Sequence, residues 1–235
     1  MITSRAPKQW PLLQDGASDG ADDASRVEAV ARFFDVHPED PQPRATAQIT
    51  AMLRDGGLIA YPTDSCYALG CRMGNAEALQ RIREIRQLDH RHHFTLVCRD
   101  FAQLGQLVHV NNASFRLVKA CTPGPYTFIL RATKEVPRRL LHEKKHTVGV
   151  RIPDHKVTQT LLAELGEPLL SSTLLMPGEP EPMTEGWEIK EVLDHLVDAV
   201  IDSGDCGTEP TTVVDLSDDV PEVLRVGAGD VSRFA

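Results

Sequence analysis

Hydroxyls, carboxylates and guanidinium groups recur in this sequence where short apolar runs end. In LIAYPTDSCYALG, Pro62 fixes the exit from an apolar run, and Thr63, Asp64 and Ser65 then supply two hydroxyls and a carboxylate. Such a set suits a small zwitterion, and equally an Asx-turn in which Asp64 caps its own backbone. REIRQLDHRHHF gathers Arg83, Arg86, His90, Arg91, His92 and His93 within eleven residues. Guanidinium forks at that density bind phosphate oxygens in pairs, although a solvated helix end has the same composition. The histidines do not make a metal motif, because HRHH lacks helical i,i+4 His spacing and a placed carboxylate. TPGPYT (122–127) is a stiff turn into a strand, where Gly124 permits close approach of a ligand. The runs VRIP, SST and TTVVD close further strands on arginine, hydroxyls and small residues. There is no GxxxxGK[ST] loop, no GxGxxG and no GxSxG elbow, so any nucleotide must be held by another geometry.

Positioning these groups requires a scaffold, and its elements are legible. Residues 1–32 are rich in Asp, Gly, Ala and Ser without an apolar period, which reads as a flexible acidic tail dispensable for folding. The domain is expected over 33–235. ATAQITAMLR reads as a helix ending at Gly56-Gly57, and LIAYP as a buried strand. Asn75 caps a helix over AEALQRIREIR, where Leu79, Ile82 and Ile85 share a core face and Arg81, Arg83 and Arg86 point out. Strand-like runs follow at 94–98, 126–132, 147–153, 168–173, 198–202 and 211–216. SFRLVKAC, VPRRLLHE, KVTQTLLAELG and EIKEVLDHLV read as amphipathic helices between them. Alternation of this kind predicts one α/β domain, a mixed open sheet with helices on both faces, and ligand groups gathered at strand ends.

Composition narrows the class. The chain is 41% hydrophobic and 25% charged, with 16 Gly and 16 Pro, ordinary values for a globular domain. No apolar run approaches the about 18 residues of a membrane span, and the first thirty residues lack a signal-peptide core, so a cytoplasmic protein without a membrane partner is expected. Five cysteines without CxxC spacing argue against a disulfide framework or a zinc ribbon. The net charge of −9 conceals a separation. Residues 81–151 carry 14 Lys/Arg against 5 Asp/Glu, or +9, and residues 181–235 carry 3 against 14, or −11. An anionic ligand therefore belongs to the middle of the chain. A general nucleic-acid binder is disfavoured by the total.

In order, GGLIAYPTDSCYALGC, RIREIR, TPGPYTFIL, TVGVRIPDH, PLLSST, TTVVDL and LRVGAGD resemble the YrdC family of threonylcarbamoyl-AMP synthases over residues 45 to 230. PTDSCYALG, RQLDHRHHFTLVCRDF and NNASFRLVKACTPGPYTFILRATKEVPRRLL are most similar to its YciO branch. The resemblance implies a twisted open sheet around a concave cleft. It also implies a reaction of ATP, L-threonine and bicarbonate, with Mg²⁺ accompanying ATP, that feeds modification of adenosine 37 in tRNA. Carried over by position, Thr63, Asp64, Ser65 and Tyr67 would meet threonine, and Arg86 and Arg151 would be catalytic. Arg91, His92, His93, Thr127, Ser171, Ser172, Thr173, Thr211, Thr212 and Arg225 would meet the nucleotide. The resemblance implies no resident protein metal site. Two motifs depart from the family's pattern: KxR reads Arg86-Gln87-Leu88, and SAN reads Thr173-Leu174-Leu175. Leu in place of Arg removes five donors, which predicts a weak synthase. The alternative is a non-catalytic protein that binds a nucleotide or double-stranded RNA; the oligomeric state is not legible.

Overall fold

The computed structural model describes residues 30–89, 92–218 and 220–234. Most of the expected tail (1–29), together with His90 and Arg91, lies outside them. The domain starts earlier than residue 33. Ala31 is buried and its N–H donates to the Asp194 carbonyl, and Arg32 opens the first strand.

Ten strands of the described residues form one mixed sheet: β1 Arg32–Asp35, β2 Ile59–Tyr61, β3 Ala68–Arg72, β4 Thr95–Val97, β5 Tyr126–Arg131, β6 Thr147–Arg151, β7 Leu169–Thr173, β8 Ala199–Asp202, β9 Thr212–Asp215 and β10 Glu222–Arg225. Their order is β1-β8-β2-β3-β7-β4-β6-β5-β9-β10, with parallel pairs β1/β8, β2/β8, β4/β6 and β5/β9. Among the described residues six helices cover it: α1 Pro43–Arg54, α2 Ala76–Arg86, α3 Phe101–Leu107, α4 Asn112–Cys121, α5 Lys156–Leu165 and α6 Gly186–Leu193. The expected α/β class and mixed sheet are both present, and no closed barrel forms.

Local chemistry sets several boundaries. The Asn75 side chain accepts from the Ala78 N–H and starts α2, and Gln87 in the left-handed region (φ 50°) stops it. Asp100 caps α3, a helix that its short FAQLGQL period did not reveal. VPRRLLHE is not an α-helix but a single 3-10 turn at Arg138–Leu140, because the His142 Nδ1 accepts the N–H groups of Lys144 and Lys145 and turns the chain back. β3 and β10 were also unforeseen: ALGCR is buried without alternation, and EVLR is an exposed edge.

Period-2 alternation divides the sheet. Leu96, Phe128, Leu130, Val148, Val150, Leu170 and Val214 face the larger core beneath α2, α3, α4 and α6. On the opposite face α1 and α5 cover only one half, where Ile49, Leu53, Leu161 and Leu162 pack on Ile59, Tyr61, Val97 and Leu169. The other half of that face carries no helix and is the floor of a cleft. Phe128 is fully buried at the centre of the larger core. Phe128→Ala is expected to cost about 3–5 kcal/mol in denaturant unfolding, the usual penalty for emptying such a site.

Candidate functional site

The cleft encloses about 450 Å³. Its floor is built by alternate residues of five strands: Ser171 and Thr173 on β7, Thr95 on β4, Thr147, Gly149 and Arg151 on β6, Thr127 and Ile129 on β5, and Val213 and Asp215 on β9. Most of the ligand groups therefore sit on a sheet face rather than beyond the strand ends. Gly149 keeps the centre open: a Cβ there would stand 3.2 Å from Thr95 Oγ1 and 3.3 Å from Thr127 Cγ2, tighter than ordinary packing.

Three guanidinium groups line the cleft. Arg151 is 7% exposed, pairs with Asp64 through Nη2 and donates from Nη1 to Ser65 Oγ at 3.3 Å. Its Nε is buried with no partner in the protein. Arg225 enters from β10, whose register sets it opposite Val213, and is held by Nε and Nη2 donating to the Thr211 carbonyl at 3.0 and 2.8 Å. Burial, with Arg151 nearby, lowers its affinity for a proton. Arg86, at the end of α2, donates from Nε to the Leu175 carbonyl at 3.1 Å and from Nη1 to Ser172 Oγ at 2.5 Å; burial lowers its pKa too.

Histidines and a lysine form the rim. His92 Nε2 lies 3.3 Å from Ser172 Oγ, and burial together with the Arg86 charge pushes its pKa down to about 4. His93 and His142 stack with centroids 5.0 Å apart, bridging the loops before β4 and β6, and burial lowers the His93 pKa. Lys145 Nζ donates to Asp215 Oδ2 at 3.2 Å. The depressed His92 pKa has a consequence for stability. Unfolded histidine takes a proton near pH 6.5 while the folded ring resists until about 4, so stability present above 6.5 is lost as pH falls through that window. His92→Gln should flatten the acid side of the stability curve between those values, read by urea midpoints at successive pH.

Of the sequence-derived candidates, Ser65, Arg86, His92, His93, Thr127, Arg151, Ser171, Ser172, Thr173, Thr211 and Arg225 line the cleft. Others do not. The Thr63 hydroxyl is spent on its own turn, donating to the Cys66 carbonyl at 2.6 Å and accepting from the Ser65 and Cys66 N–H groups. Asp64 serves Arg151 and accepts the Asp154 N–H at 3.0 Å, so it is engaged as a counter-ion rather than free for a ligand. Tyr67 is turned into the larger core, with its hydroxyl 3.1 Å from the Gly204 carbonyl. Thr212 Oγ1 donates to the Gly229 carbonyl at 2.6 Å and accepts from Gly227 and Gly229, which folds the segment after β10. Arg91 falls outside the described residues. Sequence reasoning missed Cys66, Thr95, His142, Lys145, Thr147 and Asp215, although the alternation in TTVVD and TVGVR could have placed Asp215 and Thr147 on one face.

The two altered motif positions differ in kind. Leu175 lines the cleft. Leu88 does not: it packs against the larger core, and its N–H donates to the Arg83 carbonyl after the αL turn at Gln87. No helix of the described residues is long and apolar enough to cross a membrane.

Comparison with known proteins agrees with this architecture. The Sua5/YciO/YrdC family model, described as telomere recombination, matches residues 51–227. The uncharacterized protein YciO of Escherichia coli (strain K12) is 50% identical over 205 residues, 87% of this chain and 100% of that protein. Its crystal structure superposes with a TM-score of 0.84. A threonylcarbamoyl-AMP synthase of Chromobacterium violaceum is 36% identical over 143 residues, covering 60% of this chain and 74% of that protein. P. abyssi Sua5, solved in complex with L-threonine, superposes at TM-score 0.76 and 27% identity, covering 83% of this chain and 57% of that one. With the family model spanning most of its length and a relative matched end to end, the chain belongs to the Sua5/YciO/YrdC family.

Proposed function

We propose that the cleft binds ATP, L-threonine and bicarbonate and forms threonylcarbamoyl-AMP and pyrophosphate, slowly, for modification of tRNA adenosine 37. The observation that carries this reading is the convergence of Arg86, Arg151 and Arg225 on one cleft. The likeness to threonylcarbamoyl-AMP synthases supports the reaction class. A threonine complex of a related protein supports the amino acid.

In this chemistry the threonine nitrogen adds to the bicarbonate carbon with loss of water, giving a carbamate. A carbamate oxygen then attacks the α-phosphorus, and the bond to the β-phosphate oxygen breaks as pyrophosphate leaves. The chain's part is positioning and charge stabilisation. Guanidinium donors fixed by Ser172, Thr211 and Asp64 need no rearrangement to meet charge growing on phosphate oxygens. Ser65, beside Arg151, is the hydroxyl of the PTDS segment that remains on the threonine side. The residues present do not build a Mg²⁺ site. Asp215, which lines the cleft, is paired with Lys145, Asp64 beside it is paired with Arg151, and among the described residues no three His, Cys, Asp or Glu side chains converge. Mg²⁺ would enter on the triphosphate, and no step of the protein is assigned to it.

The double-stranded RNA alternative draws less support. A duplex read over about 16 base pairs needs an extended outward basic surface, whereas Arg86, Arg151 and Arg225 are gathered around one cleft. The deciding measurement is pyrophosphate release with each substrate omitted in turn. Release that requires threonine and bicarbonate together supports the synthase reading; ATP hydrolysis indifferent to both overturns it.

A further inference from the structure

Arg86 is held differently from Arg151. Arg151 has the Asp64 carboxylate beside it, whereas among the described residues Arg86 donates to neutral oxygens, the Leu175 carbonyl through Nε and Ser172 Oγ through Nη1. A hydroxyl oxygen that accepts from a cation must send its own hydrogen elsewhere. For Ser172 the further polar neighbour among the described residues is His92 Nε2, at 3.3 Å. Burial and the Arg86 charge keep the His92 ring neutral, which leaves one ring nitrogen free to accept. The ring itself is steadied edge-on against the buried Phe94, with centroids 5.2 Å apart and planes at 81°. Were the ring hydrogen on Nε2, Ser172 would accept from both sides and its own hydrogen would be left without an acceptor. A cationic side chain in place of the neutral imidazole would be repelled by Arg86.

We infer that His92 is a positioning residue: its unprotonated Nε2 accepts the Ser172 hydroxyl hydrogen, which turns a Ser172 lone pair toward Arg86 Nη1 and fixes the guanidinium that meets phosphate charge. The ring hydrogen then sits on Nδ1. The inference rests on the synthase reading above and adds to it a residue that acts through two others rather than on the substrate. A fixed hydroxyl matters because a guanidinium without a carboxylate partner has only such neutral groups to set its direction, and charge stabilisation in the transition state depends on donors that are already aimed.

His92→Phe, His92→Gln and Ser172→Ala, each in the full chain, test it. Phenylalanine keeps the edge contact with Phe94 and loses the acceptor, and glutamine returns a neutral acceptor at the reach of Nε2. At unchanged melting temperature, His92→Phe should lower kcat for threonine- and bicarbonate-dependent pyrophosphate release by about threefold to tenfold, the worth of one neutral hydrogen bond, with KM for threonine unchanged. His92→Gln should recover most of that loss. In a Ser172→Ala protein His92→Phe should cost nothing further, because the two side chains act as one unit. Nitrogen NMR of wild type at neutral pH should place the ring hydrogen of His92 on Nδ1. A folded His92→Phe protein with the wild-type kcat overturns the inference, and so does a ring hydrogen on Nε2 or losses that add in the double variant. A wild type that releases no pyrophosphate strikes the synthase reading instead. The tautomer, with an Arg86 Nε–H signal that broadens in His92→Phe and not in His92→Gln, then decides by itself whether His92 orients Arg86.

Discussion

Arg151→Lys is expected to lower threonine- and bicarbonate-dependent pyrophosphate release by about a hundredfold or more, with the fold intact. Lysine keeps a positive charge against Asp64 but loses the planar fork that engages Asp64 and Ser65 at once. Removal of one donor aimed at developing charge commonly costs about 10² to 10³ in rate. Lysine is the informative substitution. Arg151→Ala would strand the Asp64 carboxylate, whose side chain is 9% exposed, and breaking a buried pair in that way costs about 3–5 kcal/mol of stability. Loss of activity in the alanine variant would then mix chemistry with unfolding. If Arg151→Lys, with an unchanged melting temperature, keeps the wild-type rate, Arg151 is a structural counter-ion and the proposed anionic subsite is elsewhere.

Leu175→Asn is expected to raise kcat for the same reaction by about tenfold or more, and Leu88→Arg to raise it not at all. Both positions depart from the family's motifs, but only Leu175 faces the cleft, next to the Arg86 guanidinium that its carbonyl already holds. An amide there adds a donor at the cleft wall without being desolvated, and a contact made mainly in the transition state raises kcat more than it lowers KM. An arginine at 88 would have to leave the apolar contacts of the larger core, so that variant should lose stability instead. Single-turnover rates with both variants decide the matter. A folded Leu175→Asn protein with no gain would mean that the missing amide does not limit turnover. A gain in Leu88→Arg would mean that the position reaches the cleft after all.

Much of the scaffold was fixed by local chemistry alone. Asn75 before an apolar helix face, Pro62 after LIAY and the alternating apolar runs each decided its own element, because caps, fixed φ angles and period-2 burial act over a few residues. Motif order along the chain was enough to place the family, and the +9 middle segment indicated where an anion would go. Tertiary structure alone decided which members of each motif face the cleft. In PTDS the hydroxyl of Thr63 closes a turn, Asp64 meets an arginine 87 residues away, and Ser65 alone is left on the floor. Asp215 joined the site only because β9 pairs with β5, and Arg225 only because β10 pairs with β9 in a particular register. A hydroxyl or carboxylate has the same sequence signature whether its partner is its own backbone, a distant guanidinium or a ligand. That choice is settled by which strands become neighbours, and therefore by the packing of the whole sheet rather than by any segment of it.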